Sequence, residues 1–95
     1  MSNWDAIQLD HKDQIATALK NISSGEAIRV KSGDVISVMD ISENIPLCHK
    51  FATARIMAGE AINKYGEPIG AASIDIEIGR HVHIHNLKSL RASNK

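Results

Sequence analysis

The sequence is poor in cysteine and in aromatic residues. Its 95 residues include one cysteine and three aromatic side chains. A single cysteine excludes an internal disulfide and fits a reducing compartment, so we expect a cytoplasmic protein. With so few aromatic rings, the core has to rest on isoleucine, valine, leucine and alanine. Isoleucine is the commonest of the branched residues, and its branched Cβ favours strands.

An excess of charge of one sign and a long apolar run are also missing. Eleven basic and eleven acidic residues cancel, with no block of like charge, which argues against electrostatic capture of nucleic acid or of a membrane surface. No stretch approaches the roughly 20 apolar residues that cross a bilayer. The N-terminus has neither the basic nor the apolar region of a secretory signal. We therefore expect a soluble protein that binds no nucleic acid and no membrane.

The length and the turn formers predict one small all-β domain. We expect the domain to occupy residues 1–95, with residues 90–95 as a flexible tail. Eight glycines and prolines cut the chain into short pieces, which predicts short strands joined by tight turns. They are Gly25, Gly33, Pro46, Gly59, Gly66, Pro68, Gly70 and Gly79.

Hydrophobic alternation locates several strands. Residues 27–30 and 34–40 are predicted strands, and in residues 73–79 the isoleucines alternate with acidic side chains. The alternation continues through residues 81–87, where Val82 and Ile84 would face the core, opposite the histidines. Residues 13–23 fit a helix with Asp13 as its N-cap, and they fit a strand equally well.

An internal repeat links two parts of the chain. Residues 16–33 and 52–66 share Ala-Thr-Ala, then Gly-Glu-Ala-Ile, and then a closing glycine. Two copies are too few for a solenoid. We therefore expect two similar loops that pack about a pseudo-twofold axis.

Three of the five histidines alternate in RHVHIHN, residues 80–86. On a strand, residues i and i+2 lie about 7 Å apart, so a neighbouring pair can lean onto one metal ion, whereas the ends of the run lie about 13 Å apart. At most two of the three would bind the same ion, and His49 is the obvious further ligand. The alternative is the polar face of an edge strand, which the periodicity explains fully.

Two other segments carry polar groups that can do chemistry. In IPLCHKFA, His49 and Lys50 offer an imidazole and a cation that can bind and deprotonate an acid. In NKYGEPIG, Lys64 and Tyr65 can hydrogen-bond an anionic ligand. A solvated loop is the alternative in each case. Adjacent residues on an extended segment point apart, so we expect Cys48 to be a half-buried thiol and not a nucleophile paired with His49.

The order of these motifs is more specific than any one of them. The stretch IPLCHKFATARIMAGEAINKYGEPIGAASIDIEIGRHVHIHNL resembles the N-terminal region of altronate and galactarate dehydratases. There, Ile-Pro-x-Gly-His-Lys is followed by Gly-Glu, Lys-Tyr-Gly-x-x-Ile-Gly and His-Val-His-x-His-Asn. The likeness continues upstream through AIQLDHKDQIATAL and so covers nearly the whole chain. The family's glycine is Cys48 here, and a cysteine is strained if this position has a positive φ.

The resemblance implies a fold and a function. The family region is a SAF domain with the β-clip fold, which makes residues 15–19 extended. The implied function is that of the small subunit of a two-subunit sugar-acid dehydratase, acting with a large catalytic subunit on a small hydroxy acid such as altronate or galactarate. A sulfolactate sulfo-lyase small subunit and a non-catalytic SAF module that binds carbohydrate or serves assembly are the alternatives. A divalent metal ion, Fe, Mn or Mg, is implied as cofactor.

The resemblance also implies a set of site residues facing one site shared with the partner subunit. His83 and His85 would be metal ligands or acid/base groups. Asn86 would donate to the substrate or orient a neighbouring imidazole. The expected catalytic residues are His49, Lys50, Lys64, His83 and His85, and the expected substrate-binding residues are Tyr65 and Asn86.

Overall fold

A computed structural model describes residues 3–89, and in this range all regular secondary structure is β. The all-β prediction is confirmed, whereas the expected tail at residues 90–95 lies outside the described range. None of the described residues forms a helix long and apolar enough to cross a membrane. The strands are β1 Ala6–Gln8, β2 Ile15–Ala18, β3 Ala27–Ser32, β4 Val35–Asp40, β5 Lys50–Ala52, β6 Ala61–Lys64, β7 Glu67–Ala72, β8 His81–Val82 and β9 Leu87–Ser89.

The strands form two sheets. The larger has the order β4-β3-β1-β2-β5-β8, and the smaller has the order β6-β7-β9. β1 pairs with β3 in parallel, and the other pairings within these sheets are antiparallel. Phe51 belongs to one buried apolar cluster and Ala52 to a second. Because neighbouring residues on a strand point to opposite faces, β5 has core on both of its faces.

Tight turns of one backbone type recur four times in the described part of the chain. In each, the fourth N–H donates to the first carbonyl, and the third residue has a positive φ. This is the geometry of a type II turn, which calls for glycine at the third position. The turns cover residues 23–26, 46–49, 57–60 and 77–80, with Gly25, Cys48, Gly59 and Gly79 third.

Each turn runs directly into a β-bulge. The Cys48 N–H donates to the Ala18 carbonyl, and the Ala18 N–H donates to the His49 carbonyl. Two residues on one side, Cys48 and His49, therefore lie opposite the single residue Ala18. This is the bulge type whose first residue is normally a left-handed glycine. The other three bulges are residues 25–26 opposite Ile41, 59–60 opposite Ala72, and 79–80 opposite Ala52.

The predicted repeat is confirmed by equivalent contacts in its two copies. A buried isoleucine stands just before each turn. Ile22 of the first copy bridges to Ile45, and Ile56 of the second copy bridges to Ile76. Each bridge therefore joins the turn-and-bulge unit inside a copy to a second unit that follows the copy, at residues 46–49 and 77–80 respectively.

Two local predictions are settled by this framework. The extended alternative holds for residues 15–18, which form β2, so the helical alternative was wrong. A continuous strand over residues 73–79 was also wrong. Only Ile76 of its three isoleucines is buried, whereas Ile74 and Ile78 are exposed, because the backbone turns at residues 77–80.

Cys48 stands where the turn calls for glycine. Its φ is 72°, within the left-handed region that favours glycine. Its side chain is exposed, which corrects the expectation of a half-buried thiol. The departure from the family motif is therefore a strained residue in an unchanged turn.

Replacing Cys48 with glycine tests this strain. Cys48→Gly removes the side chain from a residue whose backbone is in the left-handed region, which relieves strain in the folded state. It also raises the conformational entropy of the unfolded chain, so we expect a net gain of about 0.5 to 1 kcal/mol in the free energy of unfolding. Urea denaturation measures it, with Cys48→Ala as the control, since alanine keeps the strain. A glycine variant no more stable than the alanine variant would contradict the account.

Candidate functional site

The histidine segment is a turn and not a straight strand. β8 ends at Val82, and the His83 carbonyl then accepts hydrogen bonds from the Asn86 and Leu87 N–H groups at 3.0 and 2.9 Å. Continuous alternation over residues 81–87 was therefore wrong, and Ile84 is 84% exposed instead of contributing to the core. The turn brings the ring centroids of His81 and His85 to 5.6 Å.

Asn86 holds this turn from inside. Its side chain is buried, its Oδ1 accepts from the His83 N–H at 2.9 Å, and its Nδ2 donates to the His81 carbonyl at 2.8 Å. The amide thus fixes the backbone of two histidines, which supports the orienting alternative for Asn86. A contact from Asn86 to the substrate stays a prediction.

Three imidazoles from two segments meet at the edge of the larger sheet. His49 Nδ1 lies 2.8 Å from His81 Nε2. One ring nitrogen from each of His49, His81 and His83 lies within 4.8 Å of the other two. The three rings stack, with centroids 4.7 to 5.2 Å apart. Small side-chain movements would bring three nitrogens to the bonding distance of about 2.1 Å from one metal ion.

His49 reaches this group because of the turn and bulge around it. It is the last residue of the turn at 46–49, and its carbonyl is bonded to Ala18. The turn begins at Pro46, whose carbonyl accepts a hydrogen bond from the His49 N–H at 2.9 Å. Phe51 and His81 are directly paired across β5 and β8, which places the two strands side by side.

The surroundings of His81 favour its neutral form. The backbone N–H of His81 donates a hydrogen bond to Glu43 Oε1 at 2.8 Å, which brings this carboxylate close to the ring. Burial lowers the pKa of the His81 imidazole, and the charges of His49, His83 and His85 lower it further, against the opposing effect of Glu43. Neutral imidazole is the form that coordinates a metal ion.

The chemistry of the donors fits part of the predicted cofactor set. Imidazole nitrogens suit iron and the later transition metals, whereas magnesium prefers oxygen ligands. The group could therefore hold a divalent transition metal. Of the ions named for the family, iron fits these donors better than magnesium.

The sequence prediction missed His81 as a member of this group. It assigned the metal to His83 and His85, whereas the structure groups His83 with His81 and His49. The His-x-His spacing at 81 and 83 was visible in the sequence. The spacing allowed either neighbouring pair of histidines, and the assignment to His83 and His85 stays a prediction.

The predicted lysines do not lie on the histidine face. Lys50 pairs with Val82, whereas Phe51 pairs with His81, so Lys50 leaves β5 on the face opposite to His81. Burial lowers the pKa of the Lys50 ammonium, and the charge of Lys64 lowers it further. Within residues 3–89, neither lysine forms an ion pair.

Lys64 and Tyr65 are presented by the β6–β7 hairpin. Tyr65 and Gly66 both have positive φ, 59° and 76°, as in the two-residue type I′ turn. Tyr65 is 66% exposed, and Lys64 Nζ lies 5.5 Å from the centroid of its ring. The predicted site residues thus form two groups, the histidine group around His49, His81 and His83, and the lysine hairpin with Lys50 beside it.

A cavity of about 350 Å³ with both polar and apolar lining lies against the histidine turn. Its lining includes His85, Arg80 and Glu43. The cavity is open to one side, and it places an imidazole, a guanidinium and a carboxylate around a space large enough for a small organic molecule.

Comparison with known proteins identifies the family. The model of the altronate/galactarate dehydratase SAF domain matches residues 4–90. The chain belongs to this family.

The relatives of this SAF domain are of two lengths. It is 36% identical to the altronate dehydratases of Bacillus subtilis and Escherichia coli over 83 residues, 87% of the chain. It spans only 16% of the length of either enzyme. It is 28% identical to the alpha subunit of the (2R)-sulfolactate sulfo-lyase of Chromohalobacter salexigens over 90 residues, which covers 92% of this chain and 96% of that subunit.

Metal binding by the SAF domain should depend on three of its five histidines. We expect His49→Ala, His81→Ala and His83→Ala each to weaken Co²⁺ binding by at least about tenfold, because each removes one ligand. Isothermal titration at neutral pH measures the affinity. His11→Ala is the matched control, since the His11 side chain is 85% exposed in another loop. Equal weakening in the control would argue against a defined site.

The Asn86 amide should matter to metal affinity without touching the metal. Asn86→Ala leaves the His83 N–H and the His81 carbonyl without partners, so we expect about 2 kcal/mol less stability and at least about tenfold weaker Co²⁺ binding. Asn63→Ala, which alters the hairpin instead, should leave the affinity unchanged. Unaltered Co²⁺ affinity in Asn86→Ala would exclude the orienting role.

Proposed function

We propose that this SAF domain is the small subunit of a two-subunit hydro-lyase that removes water from an aldonate or aldarate such as altronate or galactarate. The observation that carries the proposal is the histidine group, with three imidazole nitrogens within 4.8 Å. This group lies in a chain of the altronate/galactarate dehydratase SAF family. Three imidazole nitrogens that converge from two segments form a donor set suited to a divalent transition metal.

A larger partner subunit is part of the proposal. The sulfolactate sulfo-lyase relative is an alpha subunit of nearly the same length, and the altronate dehydratases are much longer chains. The histidines of the group are only partly buried, so this domain alone leaves them in contact with water. Abstraction of a proton next to a carboxylate needs a water-excluded site, which a partner subunit would complete.

The proposed reaction is a β-elimination. A base takes the proton from the carbon next to the carboxylate, a carbon–carbon double bond forms, and the β-hydroxyl leaves as water after receiving a proton. His49, His81 and His83 would hold a divalent metal ion, which would supply positive charge for the substrate carboxylate. His85 lies next to the group and lines the cavity at the histidine turn, so we assign it the proton transfer at the β-hydroxyl.

The lysine hairpin has a separate part in the proposal. Lys50 and Lys64 carry positive charge without an acidic partner in the described range, and Tyr65 adds an exposed hydroxyl. We assign these side chains to the second carboxylate of an aldarate such as galactarate, which would approach from the partner side of the assembled enzyme. The place of Lys50 on the other face of β5 from His81 means that the partner has to enclose both faces.

A sulfo-lyase is the second candidate. The coverage of 96% of the Chromohalobacter alpha subunit favours it, and so does an identity of 46% over 48 residues to the alpha subunit of Paracoccus pantotrophus. The identity of 36% to the altronate dehydratases, which extends over 83 residues, favours the hydro-lyase. In the sulfo-lyase reaction the same proton abstraction would be followed by cleavage of a carbon–sulfur bond and release of sulfite.

Reconstitution tests the proposal. The chain is purified with a large dehydratase-type subunit and given altronate, galactarate and sulfolactate, with and without chelator. We expect a 2-keto product and no sulfite, activity only from the pair, and loss of turnover in His83→Ala with the pair still assembled. Sulfite release would identify the sulfo-lyase, and activity independent of His83 would exclude the assigned site.

A further inference from the structure

Asp13 is a buried carboxylate outside both groups of predicted site residues. Its side chain is 5% exposed. Its Oδ2 accepts from the Tyr65 N–H at 3.0 Å, and its Oδ1 accepts from the Gly66 N–H at 2.9 Å. A buried charge is tolerated when it is fully hydrogen-bonded, and here each oxygen binds one backbone donor of the hairpin turn.

The backbone of Asp13 is itself fixed to the body of the domain. Gln8, on β1, donates from Nε2 to the Asp13 carbonyl at 2.6 Å and to Thr53 Oγ1 at 3.2 Å. The Asp13 N–H donates to the Asp10 carbonyl at 3.0 Å. The two hydrogen bonds from the carboxylate therefore connect a rigid part of the larger sheet with the tip of the β6–β7 hairpin.

These bonds act at a strained residue. Tyr65 has a φ of 59°, a conformation that a bulky side chain rarely adopts, and type I′ turns prefer Asn-Gly or Gly-Gly in this place. The charge-assisted bonds from Asp13 reach the two N–H groups of this turn and so compensate the unfavourable backbone. The result is an exposed tyrosine ring with Lys64 beside it.

Attachment of the hairpin as a whole does not depend on Asp13. Gln14 donates from Nε2 to the Ala61 carbonyl at 2.7 Å and accepts from the Asn63 N–H at 2.8 Å. These bonds tie the middle of β6 to the same loop. Asp13 differs from Gln14 in acting only on the turn that carries the predicted ligand-binding side chains.

We propose that Asp13 is a positioning residue, which holds the Tyr65–Gly66 turn in its left-handed conformation and so presents Lys64 and Tyr65 to the anionic group of the substrate. The inference rests on the proposed function for the role of these two side chains. The geometric part, control of the turn by Asp13, stands on the chain alone.

The geometric part is tested on the free chain by amide hydrogen exchange. Asp13→Asn keeps one acceptor and turns an N–H donor toward a backbone donor, so we expect exchange at Tyr65 and Gly66 to become at least about tenfold faster. The ring-current shift on the Lys64 side-chain methylenes should be lost at the same time. The matched variant Gln14→Ala should instead speed exchange at Asn63 and leave the Lys64 shift in place. Unchanged exchange at Tyr65 and Gly66 in Asp13→Asn would overturn the proposal.

The functional part is tested on the reconstituted pair. Asp13→Asn should raise the KM for the hydroxy acid by at least about tenfold with little change in kcat, and Gln14→Ala should change neither. An equal rise in KM for Asp13→Asn and Gln14→Ala would indicate that Asp13 has only a structural role, which would overturn the proposal. Inactivity of the wild-type pair would instead refute the proposed function, and the exchange pattern would still decide whether Asp13 controls the turn.

A stabilised background keeps the test decisive. If Asp13→Asn does not fold alone, it is combined with Cys48→Gly, which is expected to add stability far from the hairpin. A double variant that still fails to fold would overturn the positioning role, because Asp13 would then be required for folding as such.

Discussion

The structure depends on one backbone arrangement, a tight turn whose left-handed third residue is also the first residue of a β-bulge. At each turn the chain reverses within four residues and resumes hydrogen bonding to a neighbouring segment. The buried isoleucines that precede the turns pair with each other, Ile22 with Ile45 and Ile56 with Ile76. In the unit at residues 46–49 the same arrangement places His49 against His81. That unit has Cys48 where the others have glycine, so the strained turn and the histidine group share one short segment.

Much of this could be predicted from the sequence because turn chemistry is local. The positions of the glycines predicted most of the turns, and the repeat predicted two equivalent loops. The alternation of apolar and polar residues at 27–40 predicted β3 and β4. The histidine turn could not be predicted in the same way. Residues 81–85 alternate as a strand does, but the chain turns after Val82, where backbone hydrogen bonds to the His83 carbonyl and the contacts of the buried Asn86 side chain hold the turn. The grouping of His81 with His49 follows from the pairing of β5 with β8.

The separation of the lysines from the histidines has a similar cause. His49 and Lys50 are neighbours in sequence, which suggested one site, but Lys50 belongs to a strand whose alternate residues face different cores. A chain this small presents its polar groups on opposite faces of one sheet. A site that uses both groups therefore requires a partner that surrounds the edge formed by β8, in line with the subunit organisation proposed from the relatives.

We propose that three imidazoles from two segments of this SAF domain, those of His49, His81 and His83, hold one metal ion. X-ray absorption spectroscopy of the chain loaded with one equivalent of Co²⁺ tests this proposal, because imidazole rings give a distinct outer-shell scattering pattern. Three imidazole ligands at about 2.1 Å are expected. A first shell made of oxygen ligands, or one with a single imidazole, would contradict it.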